Sequence, residues 1–395
     1  MQKFYTRCSL IFGMLTFPLF AQIMIESTNA LLQGDSLSIQ SGKLQVLSSE
    51  KNTTIPLDQI IEIDLKRPIR PKQLLEFHFR NTDILYGDFG SDAEGDSFSI
   101  ESSFLQNKYK TYLTDLESIR FQSPQELPPP EEGLDQLLLK NGDSLKGQIE
   151  RIQNNGFEFS SKIGRSTLEF ADILAVVFSK KTPPQAPSQT LYALVYGIEG
   201  SRLQVQIESL QNAILHGKAL RFDSPPIQIS LEQAAFIRFK QGNFIYLSDL
   251  LPIEVLYVPF FEKTLPYQRD LNIYGKPLQI KGRTFTKGLG MFSKTTLIYE
   301  LESQYRRFKA VIGIDDYVRQ SDFPLGGRAL FQVFLDGEKV AEHLLDWKSD
   351  PVSLDIDTSK REEIELVVDF GDPEKRFYED PVNDIANWGN ALLIQ

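Results

Sequence analysis

Cysteine is almost absent from this chain: 395 residues carry one, Cys8, beside three histidines and two tryptophans. A lone cysteine gives neither an internal disulfide framework nor a thiolate metal site, so packing alone must hold the fold. The histidines, His78, His216 and His343, stand in strand-like or loop contexts without partner motifs. There is no Gly-x-Ser-x-Gly elbow, phosphate-binding loop or His-Glu-x-x-His pair, which removes the common signatures of hydrolases, nucleotide enzymes and zinc peptidases. Basic runs are missing too. With a net charge of -11, the chain lacks the cationic footprint that displaces counterions from phosphates, which argues against nucleic acid as a partner. Beyond the N-terminus no apolar run approaches the roughly 20 residues a membrane-crossing helix requires.

Phenylalanine and tyrosine are abundant, 28 and 14 residues, and these aromatics favour strands. The length exceeds what one hydrophobic core usually serves, so two or more domains are expected. At the start, Lys3 and Arg7 precede an apolar run from Ser9 to Ala21. That run is short for a bilayer span and has the pattern of a secretory signal peptide, with cleavage after Ala21 or Ala30. Residues 1–30 are therefore expected to direct the protein to the periplasm, cell envelope or medium. Cys8 lies before the apolar run, out of place for lipid modification.

One pattern recurs between Leu31 and Phe239. Its clearest copy runs Leu137-Leu-Leu-Lys-Asn-Gly-Asp-Ser-Leu-Lys-Gly-Gln-Ile149, continues through Asn154-Asn-Gly-Phe-Glu-Phe159, and closes with Leu168-Glu-Phe-Ala-Asp-Ile-Leu-Ala-Val-Val-Phe178. Alternating apolar residues around Asn-Gly turns predict short hairpin strands. Related closing segments end at Leu65, Phe121 and Phe239, a period of roughly 55 to 60 residues and hence a structural repeat. Four copies are expected, each of about five strands, as SH3-like or Sm-like small barrels or as a continuous β-meander sharing sheets. The expected layout is 31–125 for copies one and two, a Pro-rich linker at 126–133, copy three at 134–181, a second linker at 182–189 and copy four at 190–243. The Gly-Asp-Ser steps at Gly34 and Gly142 predict turns. These repeats suit a spacer or a surface for other envelope proteins.

After Phe239 the texture changes. Tyr246-Leu-Ser-Asp-Leu250 and Arg269-Asp270 lead to Lys287-Gly-Leu-Gly290, Val311-Ile-Gly-Ile-Asp-Asp316, Asp336-Gly337 and the closing Asp384-Ile-Ala-Asn-Trp388-Gly-Asn-Ala391. Strands joined by Gly- and Asp-rich turns, without helical periodicity, predict a β-sandwich. Asp336-Gly337 predicts a type I′ hairpin turn. The alternation of Leu330, Gln332 and Phe334 with Phe331, Val333 and Leu335 predicts a strand buried on both faces.

In order and spacing these motifs resemble the NPCBM domain, a carbohydrate-binding-module family first noted beside glycoside hydrolase family 98, over residues 244–395. The resemblance implies an all-β chain ending in a galactose-binding-like jelly-roll sandwich with sugar ligands and, in some relatives, bound calcium. Departures stand where many members carry histidine, here Phe292, and in the closing motif, where Ile385 and Asn387 replace a histidine and an aspartate.

A sugar site combines an aromatic platform with a few fixed polar groups. Trp347, in a polar loop-like stretch, is the candidate platform. Asp316, Tyr317 and Arg319 follow a predicted buried strand, where binding loops emerge, and Arg319 has two forked donors for hydroxyls. Trp388 reads as core packing. Asp384, Asp380 and Asn383 offer the oxygen ligands that calcium takes, or else Asx turns. With repeats and sandwich assigned, no segment of catalytic-domain size remains. The expected function is non-catalytic carbohydrate binding. The alternatives are a structural or protein-interaction envelope component and a glycoside-active enzyme, since two carboxylates suffice for that chemistry.

Overall fold

The computed structural model describes residues 23–48, 51–71, 74–122, 127–153, 155–179, 190–220, 226–258, 265–320, 327–370 and 384–395. Among them helical structure is confined to short 3-10 turns. Two compact units divide the chain, residues 1–239 and 240–395.

The first unit holds four copies of one five-stranded motif. In the third copy the strands are Asp135–Leu139, Ser144–Gln153, Gly156–Ser161, Gly164–Glu169 and Ile173–Val177, with the 3-10 turn Phe170–Asp172 before the last. Its first strand pairs with both the second and the last, while the third and fourth extend the ribbon. The order is thus fifth, first, second, third, fourth. Copies one, two and four repeat it. A tight turn, Leu57–Gln59, Leu113–Asp115 and Phe170–Asp172 in the first three copies, redirects the chain into the closing strand. Leu57 and Leu113 are buried, whereas Phe170 is half-buried and stacks on Phe89.

Of the two arrangements the sequence leaves open, sharing of sheets is seen, since closing strands of different copies pair. The closing strands of copies two and three lie antiparallel with Ile119 opposite Val176. Those of copies one and four lie antiparallel with Ile63 opposite Ile237. All four residues occupy the same position of the repeat, four after the turn that precedes the closing strand, so each pairing has local two-fold symmetry. The pairing of copies one and four carries an added ion pair, Arg238 to Glu62 at 2.5 Å, with Arg238 almost fully buried.

One boundary and one turn differ from expectation. The first copy starts at Ile23, not Leu31: Ile23–Ser27 is its first strand, paired with Leu31–Gly34 and with Ile60–Asp64. Residues 1–22, the apolar run included, lie outside the described residues, as does the linker 182–189. Gly34 is not at a hairpin turn either. The turn is Ser27–Ala30, where the Ser27 hydroxyl donates to the Ala30 carbonyl. Gly34 sits where the second strand breaks, and a Cβ there would lie 2.6 Å from Val46 Cγ1. Gly142, by contrast, is a true turn glycine with φ of 93°.

The second unit is a β-sandwich. One sheet runs in the order Gln268–Arg269, Gly288–Phe292, Ile385–Ile394, Arg307–Ile314, Val352–Asp357, with Phe244–Tyr246 also on the Ile385–Ile394 strand. The other runs Glu254–Tyr257, Thr295–Glu300, Glu363–Phe370, Arg328–Leu335, Glu338–Asp346. Their inner faces meet in one core, where Phe331 of the second sheet stands edge-on to Trp388 of the first at 5.4 Å. Asp336 and Gly337 both have positive φ, 50° and 77°, as a type I′ turn requires. The Arg328–Leu335 strand is buried more deeply on one face than on the other: Phe331, Val333 and Leu335 enter the core, while on the opposite face Leu330 is buried and Gln332 and Phe334 are half-buried. It belongs to an antiparallel sheet whose outer face is partly solvated, and such sheets need only one apolar face.

Candidate functional site

The glycines of the C-terminal motifs make the outer face of the first sheet flat. Asn387, in the central strand, has Gly290 opposite it on one side and Gly313 on the other. Onto this floor folds the small hairpin Leu278–Ile280 and Arg283–Phe285. Its Ile280 would lie 2.5 Å from a Cβ at Gly313, and its Phe285 ring 2.5 Å from one at Gly389. Side chains at either glycine would push the hairpin off the sheet.

Asp315 pins the same hairpin. Its carboxylate accepts from the Gln279 amide at 3.2 Å and the Tyr317 amide at 2.8 Å, and from the Asn387 side-chain amide. Burial raises the Asp315 carboxyl above its usual range, against the lowering effect of these donors. Asp315 is thus structural. Its neighbour Asp316 accepts from the amides of Lys281 at 3.1 Å and Gly282 at 2.6 Å, fixing the hairpin tip.

Several loops then gather at one end of the sandwich. The Asp315 amide donates to the Ile385 carbonyl, the Arg328 amide to Asp384, and the Trp347 amide to the Gly327 carbonyl. The Lys281 ammonium donates to the Lys348 carbonyl at 2.6 Å and lies 3.8 Å from Asp350. Asp316, Tyr317 and Trp347 are therefore brought to one rim. Tyr317 is half-buried and packs on Tyr274, ring centroids 5.1 Å apart. Trp347 is half-buried too, with the Lys348 ammonium 5.0 Å from its ring centroid. Sequence reasoning missed Tyr274 and Lys281. The only signal was an aromatic and a basic residue inside turn segments, Asn272–Gly275 and Lys281-Gly282, which alone mark a turn.

The remaining candidates fare differently. The Arg319 side chain, and Asp380 and Asn383 altogether, lie outside the described residues. Asp384 is buried, and both its oxygens accept protein hydrogen bonds, from the Ser293 hydroxyl at 2.7 Å and the Arg328 amide at 3.1 Å. Asp384 thereby clamps the loops that carry Ser293 and Arg328. Among the described residues no group of three acidic, histidine or cysteine side chains could hold a metal ion. Trp388 is fully buried.

The most characteristic motifs also converge, away from the rim. The Lys287 ammonium donates to Asp249 at 2.6 Å and to Asp270 at 2.5 Å, and Lys240 reaches Asp249 at 2.7 Å. Burial alone would raise the Asp249 carboxyl, but the two lysines outweigh it and hold it below its usual range. The Tyr-Leu-Ser-Asp, Arg-Asp and Lys-Gly-Leu-Gly segments are parts of one ionic clasp.

The sandwich falls in a stretch that matches a known family. Residues 244–394 form an NPCBM/NEW2 domain. A stretch of 66 residues, 17% of this chain, is 41% identical to a Renibacterium salmoninarum protein provisionally named an endo-alpha-N-acetylgalactosaminidase, and it spans 4% of that relative's length. Among solved structures, similarity is found to the CBM51 module of a Clostridium perfringens GH95 protein in complex with methyl-galactose, at 22% identity over 38% of this chain and 99% of that one, with a TM-score of 0.32. It is also found to the tandem CBM51 modules of the family 98 glycoside hydrolase of Streptococcus pneumoniae, at 15% identity over 81% and 88%, with a TM-score of 0.32.

Proposed function

We propose that the protein is an exported, non-catalytic carbohydrate-binding protein whose NPCBM domain docks a polysaccharide or glycoconjugate at the loop rim. The observation that carries this reading is the gathering of Asp316, Tyr317 and Trp347 at one end of the sandwich, tied by Lys281. There aromatic faces stand beside carboxylate and ammonium groups, the combination a sugar ring with its apolar face and hydroxyls requires. The basic and apolar N-terminal residues support export, and the four repeats would serve as a stalk or as a contact for envelope proteins.

A glycan array probed with the full chain, with calcium and with chelator, tests the reading. Saturable binding lost in Trp347→Ala supports it; silence on every glycan in both conditions rejects it in favour of a structural envelope role. Reducing-sugar release from a polysaccharide panel would instead establish a glycosidase.

A further inference from the structure

Two aromatic groups, not one, face the rim, and they stand at opposite ends of a bridge. Tyr274 is 46% exposed, yet it is not loosely held. The Asn272 side-chain oxygen accepts from the amides of Tyr274 and Lys276, both at 3.0 Å, which locks the turn. The Tyr317 ring backs the Tyr274 ring at 5.1 Å and 42°. A rigid aromatic presented to solvent on a second ring loses little conformational freedom when a ligand stacks on it.

Trp347 is the other group. Asp346 accepts from the Lys348 and Ser349 amides and from the Ser349 hydroxyl, so the loop carrying Trp347 is a closed turn. The Lys348 ammonium rests over its ring, a solvent-exposed and hence weak cation–π contact that a stacking sugar can displace. Between the two groups runs Lys281, with its main chain on Asp316, next to Tyr317, and its ammonium on the Lys348 carbonyl, next to Trp347. The four-carbon stem of a lysine spans this interval, and the ammonium with the neighbouring Asp350 carboxylate supplies a donor and an acceptor along it.

We propose that the rim binds an oligosaccharide laid across two aromatic stations, Tyr274 with Tyr317 at one end of the Lys281 bridge and Trp347 at the other, rather than a single sugar ring. This rests on the sugar-binding reading above and adds to it the size of the ligand and a second binding residue. Two weak stacking contacts on one linked ligand multiply their affinities, because the second forms within the complex.

Calorimetry on the full chain with galactose and N-acetylglucosamine, each as monomer and as β-linked oligomers of two to four units, tests this. Affinity should rise at least tenfold from one unit to three in one of the two series. Tyr274→Ala should abolish that rise, and Tyr274→Phe, which keeps the ring, should restore it. Equal affinity at all lengths, or a rise indifferent to Tyr274→Ala in a variant with unchanged thermal unfolding, overturns the two-station proposal and leaves sugar binding standing. Absence of heat with every sugar, together with a silent glycan array, overturns both.

Discussion

Lys281 reaches across from the hairpin that lies on the glycine floor and donates to the main-chain carbonyl of Lys348 at 2.6 Å. A backbone acceptor is indifferent to the side chain at 348. The Asp346–Asp350 turn is internally closed and held on its other side by the Gly327 carbonyl, so its link to the hairpin is the Lys281 ammonium, on the Lys348 carbonyl and beside Asp350.

Lys281→Met should detach that turn with little loss of global stability. The lysine is about one third exposed, so the stability cost is about 0.5–1.5 kcal/mol by urea unfolding. Glycan affinity should fall roughly tenfold, about 1.4 kcal/mol, in titrations of whichever glycan the array identifies. Unchanged affinity would show that the turn holds its place without the bridge.

Lys287→Met should be far more damaging. It removes the cation that both Asp249 and Asp270 face, and leaves the two carboxylates near one another around an almost buried position. Breaking a buried pair costs about 3–5 kcal/mol. Both aspartates are over one third exposed and Lys240 still serves Asp249, so about 2–3 kcal/mol is expected here. The midpoint of urea unfolding at neutral pH measures it, and the triple variant that also carries Asp249→Asn and Asp270→Asn should recover part of the loss.

Much of this was legible in the sequence, and the parts that were not have physical reasons. The repeat was visible because turns and alternation recur together, and the sandwich because Gly, Asp and aromatic residues stand in a fixed order. Hairpin geometry at Asp336-Gly337 follows from residue type alone. The first strand was missed because Gly34-Asp35-Ser36 carries the same residues as the real turn at Gly142-Asp143-Ser144, though at Gly34 the glycine serves close packing against Val46. At the site, Asp316 and Trp347 were legible as polar-loop residues, whereas Tyr274 and Lys281 depend on which loops meet in space. Asp384 reads from sequence as a candidate ligand, and only its buried partners Ser293 and Arg328 reveal a clamp.

The first strand gives a test of processing. Ile23 and Ile25 are buried between Leu31–Gly34 and Ile60–Asp64, and burying each isoleucine is worth about 1.5–3 kcal/mol. A chain beginning at Gln22 should unfold cooperatively at the temperature of the full chain. One beginning at Leu31 should lose several degrees at least, since one flank of the Ile60–Asp64 strand is stripped. N-terminal sequencing of exported protein is accordingly expected to read from Gln22 and not from Leu31.

Asp83 should give the repeat unit an unusual pH profile. It sits in the Asn81–Asp83 turn of the second copy, where the Gln204 amide of the fourth copy donates to it at 2.8 Å and the Asn81 side-chain amide at 2.8 Å. The same Asn-x-Asp turn in the third copy, Asn141–Asp143, is exposed. Burial pushes the Asp83 carboxyl up to about 7, against the lowering pull of Asn81, Gln204 and Arg202. A carboxyl whose folded value lies above its unfolded one stabilises the fold fully below about pH 4, and that contribution is lost as pH rises towards 7, by at most about 1.4 kcal/mol per pH unit. Asp83→Asn keeps an acceptor for Gln204 without a charge. The variant should therefore gain on the parent between pH 4.5 and 7.5 in urea unfolding, with the advantage flat above that range. A stability difference independent of pH would mean that Asp83 is solvated or already charged in the folded protein.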